Sequence, residues 1–390
     1  MMKRYQILYV LIVAAVLVCG LWGGGQIAPV LLALLLLLPA VCAARLYLTV
    51  KGISISLTGP HSCRSGQKLE LTLKLVHPHS RPAGKVQIHM VCENLVFGTE
   101  TESACFLELG KGKQHVYSLC ADTAICGGRS IQIREMVFWD QLGLFSYRKP
   151  IKETVTCTVL PYEASMYVSL GRRREREQPG DLYDGKKSGT DVSEMFGLRE
   201  YREGDPLQSI HWKLSGKMQQ LIVREFGRPV NYHTLLLLAP AFCYGELEIA
   251  EPRVNAVFDL GVSLSHALLS QDIAHFVGGF SDGRFYCMPV DSLRSYEEML
   301  LELMERPVQK NGEEALLAFI DQQLYRQYTK VVYVAGAVNE AAAQNLSVLA
   351  DLTILQAMES GPGYLTDSES YGVVGIPVEN IRSKEHIIPL

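Results

Sequence analysis

The stretch Gly197-Leu198-Arg199-Glu200-Tyr201-Arg202-Glu203-Gly204-Asp205-Pro206-Leu207-Gln208-Ser209-Ile210-His211-Trp212-Lys213-Leu214-Ser215 packs charge, aromatic rings and turn residues too densely for an ordinary connector. Asp205 before Pro206 puts a side-chain acceptor at a helix N-cap and a fixed backbone angle at the first helical position, with Gln208 where a capping-box partner belongs. The spacing predicts a short helix from there, carrying Leu207, Ile210, His211 and Leu214 on one face, with Gly216 as its stop. Leu198 to Arg202 reads as extended, with Arg199 and Tyr201 on one side, and Leu221 to Phe226 as a further strand. The unit is strand, turn, helix, strand. Its polar groups Arg199, Arg202, Asp205, His211, Lys213, Arg224 and Glu225 either converge as an active site or form a satisfied network that fastens the unit to the next domain. The second reading is preferred, because ion-pair networks perturb charges as readily as catalytic sites do.

Downstream, the hydrophobic period alternates between strand and helix. Thr234 to Ala239 is a continuous apolar run suited to a central buried strand. A helical pattern follows through Val257, Leu260, Leu264 and Leu268, then strands at Ala274 to Phe280 and Arg284 to Val290. Helical patterns recur around Tyr296 to Leu303 and Leu317 to Tyr328, and strands at Lys330 to Gly336 and Leu352 to Met358. This predicts an α/β domain with an open, mostly parallel sheet covered on both faces.

Upstream, residues 52 to 160 read as all-β. Lys68 to Leu75 alternates strictly, as do Val86, Ile88 and Met90 against Gln87 and His89, and Val155, Cys157 and Val159 against Thr154, Thr156 and Thr158. Gly110-Lys111-Gly112 and Gly127-Gly128 supply turns, which predicts a small sandwich of immunoglobulin-like type. The lone histidines His77, His79 and His89 read as surface or strand residues.

The signature positions Arg199, Tyr201, Gly204, Asp205, Ile210, His211, Trp212, Lys213, Arg224 and Glu225 resemble those of the membrane-associated domain of unknown function 58 family. The Asp140-Gln141-Leu142-Gly143-Leu144-Phe145 element and the strand end Val159-Leu160-Pro161 extend the likeness, which runs over residues 130 to 350. The resemblance implies a von Willebrand factor A-like module. It also implies a MoxR-type AAA+ ATPase as partner, with the chain as its adaptor in assembling or activating a complex, and signature residues that are structural or partner-binding. Many A-type modules bind a divalent cation through Asp-x-Ser-x-Ser at the end of the first strand, because a hard cation needs oxygen ligands. Here the corresponding positions are Ala239, Ala241 and Cys243, none with a suitable oxygen, so neither a metal nor another cofactor is expected.

The N-terminus sets the compartment. Tyr5 to Trp22 and Ile27 to Ala44 are two nearly charge-free apolar runs of bilayer length, separated by Gly23-Gly24-Gly25-Gln26. They predict a transmembrane hairpin in the lipid bilayer. Lys3 and Arg4 before it and Arg45 and Lys51 after it put both ends, and the soluble domains, in the cytoplasm. A secretory signal needs one short apolar core, not two, and the lipoprotein-like Val16-Leu17-Val18-Cys19 has Val18 where a small residue is required. Of the ten cysteines, Cys19 and Cys42 lie in these runs. The other eight show no CxxC pair and no zinc spacing, and read as reduced residues on apolar strand faces.

Composition excludes little else. At 390 residues with 48% hydrophobic content the chain holds two or three domains. Its net charge of -4 argues against nucleic acid as a partner. No phosphate loop, HExxH or GxSxG pattern is present. The rival class is a hydrolase or transferase using Asp205 and His211. The expected boundaries are 1–45 for the hairpin (helices 5–22 and 27–44), 46–165 for the sandwich, 166–190 for a charged linker including Arg172 to Arg176, and 191–390 for the signature unit with the A-like domain.

Overall fold

The computed structural model describes residues 2–23, 27–76, 84–110, 112–140, 142–169, 183–189, 195–201, 210–229, 234–367 and 371–389. The chain divides into two compact units, Met1–Tyr162 with Leu301–Val308, and Glu163–Leu300 with Gln309–Leu390.

The first unit opens with two apolar helices, α1 (Met2–Gly23) and α2 (Ile27–Lys51). Pro29–Lys51 is long and apolar enough to cross a bilayer, and Gln6–Trp22 is a shorter apolar segment. The Tyr9 hydroxyl on α1 donates to the Leu35 carbonyl on α2. The expected helix end at Ala44 is corrected: α2 runs on to Lys51, across the boundary set between hairpin and sandwich. The cause is a second apolar stripe, since Leu46 and Val50, one turn apart, are buried with Ile53 in the sandwich core. Lys149 donates to the Val50 carbonyl at 3.2 Å, which also accepts the Ile53 N–H, and to the Ile53 carbonyl at 2.7 Å just past the helix end.

Two β-sandwich-like sheets follow, built from β1 (Ser54–Thr58), β2 (Ser62–Arg64), β3 (Leu69–Val76), β4 (Gly84–Asn94), β5 (Thr99–Leu109), β6 (Gln114–Ala121), β7 (Gly127–Trp139) and β8 (Ser146–Leu160). Their orders are β1-β3-β6 and β2-β8-β7-β4-β5. Alternation along β3 sends Leu69, Leu71, Leu73 and Leu75 into one core with Ile88, Ile131, Ile133 and Phe138. All ten cysteines are free thiols. Burial, and next its neighbour Cys63, pushes the Cys157 thiol up to about 12, which keeps it protonated and unreactive.

Beyond residue 162 the chain forms β9 (Met166–Ser169), β10 (Tyr183–Gly189), β11 (Met195–Glu200), α3 (Trp212–Met218), β12 (Ile222–Pro229), β13 (Thr234–Ala239), β14 (Ala241–Tyr244), β15 (Leu247–Glu248), α4 (Glu251–Ser270), β16 (His275–Ser281), β17 (Arg284–Val290) and α5 (Leu293–Leu303). Then come β18 (Gln309–Asn311), α6 (Gly312–Asp321), β19 (Lys330–Ala335), α7 (Glu340–Leu349), β20 (Asp351–Met358), β21 (Tyr364–Asp367), β22 (Gly372–Pro377), α8 (Val378–Ile381) and β23 (His386–Pro389). This is a mixed α/β region around a seven-stranded sheet of order β17-β16-β13-β19-β20-β22-β21. The five inner strands are parallel, and β17 and β21 are antiparallel edges. Leu235 to Leu238 are buried on both faces of the sheet, as a central strand requires. Helix α4 packs against it so closely at Gly261 that a side chain there would collide with Leu238.

The segment expected as a linker holds two strands. β9 pairs in parallel with β23, Met166 opposite His386, and β10 pairs with β12. Neither announced itself, because β9 alternates over only four residues and Asp184 to Gly189 has no apolar residue at all. Arg172 to Arg176 lie outside the described residues. The helix pattern through Tyr328 also breaks early: α6 ends at Asp321, Gln323 takes φ 55°, and Leu324–Gln327 forms a 3-10 turn.

Candidate functional site

The signature stretch folds as a three-stranded sheet, β10-β12-β11, with α3 connected to β12. β11 and β12 run antiparallel, with Arg199 opposite Val223, Leu198 opposite Arg224 and Gly197 opposite Glu225. The Tyr201 backbone N–H donates to the Leu221 carbonyl at 2.8 Å, extending the ladder by one residue. Gly204 and Asp205, with the rest of 202–209, lie outside the described residues.

The helix differs from the sequence reading at both ends. Ile210 and His211 are not helical: Ile210 is buried, 3% exposed, and bridges Val223, while the His211 N–H donates to the Ile222 carbonyl at 2.7 Å. His211 is itself the N-cap of α3, its Nδ1 accepting the Leu214 N–H at 3.3 Å. An imidazole used this way leaves its Nδ1 lone pair committed to the backbone. Gly216 does not stop the helix. It lies inside α3, with open space around it, and Gln219 closes the helix in the left-handed conformation at φ 55°. Ser215 is buried, accepting the Ile222 N–H at 2.9 Å and donating to the Ile222 carbonyl, so one hydroxyl ties α3 to β12. Trp212 points the other way, 64% exposed, and Lys213 beside it is exposed too.

The second place to look is the C-terminal rim of the seven-stranded sheet, where open α/β sheets bind ligands at the reversal of strand order. Here β13 has β16 on one side and β19 on the other. Side chains of the protein itself bridge the strand ends there. The Tyr244 hydroxyl donates to the Ala239 carbonyl and accepts the Gly336 N–H at 2.9 Å, and burial pushes its phenol well up from the usual range. Its ring covers Gly312 so closely that any larger residue would strike it. Arg253 Nε donates to the Ala357 carbonyl at 2.8 Å and its Nη2 to the Gly336 carbonyl, joining the ends of β19 and β20. Ala241 is buried, and the Cys243 thiol donates to the Lys310 carbonyl at 2.7 Å. Asn311 and Asn339 cap α6 and α7, and the Asn339 amide donates to Glu313. Among the described residues, no group of three or more His, Cys, Asp or Glu side chains is placed to hold a metal ion.

Sequence reasoning missed three of these features. Tyr244, Arg253 and the Ser265–His275 pair were not singled out, because no local motif or spacing marks them. His275 and Ser265 are both fully buried, with Nε2 2.7 Å from the Ser265 hydroxyl and Nδ1 2.9 Å from the Ile273 carbonyl. Burial lowers the imidazole pKa to about 4, against a smaller opposing effect of the Ile273 hydrogen bond. Buried in this way, the pair braces α4 against β16.

No family model matches the chain. No curated protein matches it. Among solved structures it is similar to the CARDB domain of a Pyrococcus furiosus protein in complex with di-metal ions, at 11% identity over 28% of this chain and 87% of that chain, with a TM-score of 0.19. It is also similar to a beta-glucosidase from Listeria innocua, at 9% identity over 27% of this chain and 16% of that chain, with a TM-score of 0.20. A third is an alkylpurine DNA glycosylase from Pseudomonas fluorescens bound to DNA, at 14% identity over 26% of this chain and 30% of that chain, with a TM-score of 0.17. Likeness at this level carries no argument about activity.

Proposed function

We propose that this chain is a membrane-tethered cytosolic interaction protein of the domain of unknown function 58 kind, in which α1 and α2 cross the bilayer as a hairpin and the soluble units present a docking surface. The observation that carries the reading is the division of labour in the signature stretch. Ile210, His211 and Ser215 are used inwards as bracing, while Trp212 and Lys213 are left on an open helix face. Tryptophan is over-represented among residues that dominate binding energy at protein interfaces. The parallel sheet with an antiparallel strand on each edge supports the von Willebrand factor A-like reading of the second unit. Lys3, Arg4, Arg45 and Lys51 support cytoplasmic ends. The partner class is a MoxR-type AAA+ ATPase. A hydrolase or transferase built on Asp205 and His211 is disfavoured, because His211 Nδ1 is spent on the helix cap.

The test is binding of a purified MoxR-type ATPase to the full chain in lipid nanodiscs, comparing the parent with Trp212→Ala. Loss of a hot-spot tryptophan costs about 2 kcal/mol or more, so affinity should fall by roughly thirtyfold with thermal stability unchanged. An unaltered complex with the variant, or no complex with the parent, would sink the adaptor reading. A fusion after Leu390 tests topology separately: a fluorescent reporter should light up, and an active alkaline phosphatase there would reverse the orientation.

A further inference from the structure

The turn between β7 and β8 is held against the apolar helices within the first unit. Gln6 Nε2 on α1 donates to the Leu144 carbonyl at 2.9 Å, and Tyr47 on α2 meets Tyr147 on β8 edge to face, ring centroids 5.9 Å apart. The turn is well built. Asp140 Oδ1 accepts the Phe145 N–H at 2.9 Å, the Asp140 carbonyl accepts the Gly143 N–H at 3.1 Å, and Gly143 supplies the left-handed φ of 69° that the reversal needs. Leu144 tucks inwards, but Leu142, Phe145 and Tyr147 stand 47%, 39% and 38% exposed, and on α2 Tyr47, against Tyr147, and Leu48 stand 48% and 55% exposed. A folded domain gains nothing by leaving large apolar side chains of a turn and of the helix end it is held against in water.

Helix geometry fixes their depth. At 1.5 Å per residue, Gln6 lies about 26 Å along α1 from Gly23, and Arg45 about 27 Å along α2 from Ile27. A bilayer hydrocarbon core is about 30 Å thick. If the loop between the helices sits at one surface, Gln6, Arg45 and the Leu144 bonded to Gln6 sit at the other. The exposed charge nearby is basic: Arg45, Lys51, Arg148 and Lys152 are exposed, while the one acid of the turn, Asp140, is buried. Aromatic rings mixed with lysine and arginine at the level of the headgroups are the composition of a membrane interface.

We propose that the β7–β8 turn and the last turns of α2 form one surface that docks into the headgroup layer of the leaflet from which α1 and α2 emerge, recognising anionic phospholipid. The placement rests on the membrane-tether reading above. It makes the sandwich a fixed extension of α2, seated on the membrane, and gives the Asp140 to Phe145 turn a function beyond reversing the chain.

The test reconstitutes the full chain in phosphatidylcholine–phosphatidylglycerol nanodiscs with Phe145→Trp, and separately Leu142→Trp, against the parent carrying Trp22, Trp139 and Trp212. The added indole fluorescence should be blue-shifted and at least halved by lipids brominated near the headgroup, with weaker quenching by lipids brominated near the acyl end. Replacing phosphatidylglycerol by phosphatidylcholine should lower that quenching. Folding of each variant is checked by far-UV circular dichroism, and either one suffices. An unquenched, water-like added indole in a chain that resists carbonate extraction from membranes would overturn the docking surface and leave the tether standing. An unquenched indole in a chain that carbonate extracts would overturn both.

Discussion

The C-terminal rim of the seven-stranded sheet and the signature helix α3 belong to the same unit and use their polar groups in opposite ways. At the rim, Tyr244, Arg253, Asn311 and Asn339 turn inwards onto strand-end carbonyls and helix N-termini, so polar groups at the place where this architecture normally takes a ligand are bonded to the chain's own atoms. On α3 the inward groups are few, one imidazole and one hydroxyl, and the outward face is an uncovered tryptophan with a lysine. Bonded rim and open helix imply different responses to mutation. The rim should answer in stability, and α3 in binding.

The largest effect belongs to Tyr244→Ala. It removes a buried ring and leaves the Ala239 carbonyl and Gly336 N–H without their partner, so unfolding of the full chain in detergent should show a loss of about 3–5 kcal/mol. Tyr244→Phe keeps the ring and should cost about 1–3 kcal/mol for the orphaned groups. If Tyr244→Ala kept its stability and gained a saturable small ligand, the rim would be a binding crevice and the comparison would break.

Next in size is the pH response of His275, at the start of the inner strand β16 of the same sheet. An unfolded imidazole titrates at 6.5 and the folded one at about 4, so the unfolded state binds the proton first as pH falls. Stability is full above pH 6.5, declines between 6.5 and 4, and levels off below, a loss of about 3 kcal/mol at 1.36 kcal/mol per pKa unit. Denaturant titrations of parent and His275→Gln across this window should differ in slope. Equal slopes would mean that His275 is protonated, or exposed, in the native protein.

Much of the fold was legible because burial writes itself as periodicity. β3 alternates over eight residues and Leu235 to Leu238 form an unbroken apolar run, so both sheets could be placed in advance. What escaped the sequence reading depends on contacts between distant residues. The end of α2 is set by a sheet core and by Lys149, about a hundred residues away, and neither leaves a local stop signal at Ala44. The bonding at the rim joins Tyr244 to Gly336 and Arg253 to Ala357. In the signature stretch the two strands were readable, but the helix start was misjudged. Asp205-Pro206 carries a strong local cap signal, whereas a histidine cap at 211 is a weak one, and pairing of Ile210 and His211 with β12 overrides the helical spacing of Leu207, Ile210 and Leu214.

That misjudged start yields the smallest and most discriminating prediction. Since His211 Nδ1 takes the Leu214 N–H, His211→Ala should cost about 1 kcal/mol, the usual consequence of losing an N-cap acceptor. His211→Asn places a better capping acceptor at the same position and should return most of that stability, with its amide filling part of the space of the ring. Asparagine cannot act as a general base, so the two roles separate cleanly. If His211→Asn restores both the melting temperature and partner binding, His211 is a brace that holds Trp212 outward. If it restores the melting temperature while cellular function stays lost, the imidazole is doing chemistry, and the contrast between an inward bracing face and an outward binding face on α3 would have to be abandoned.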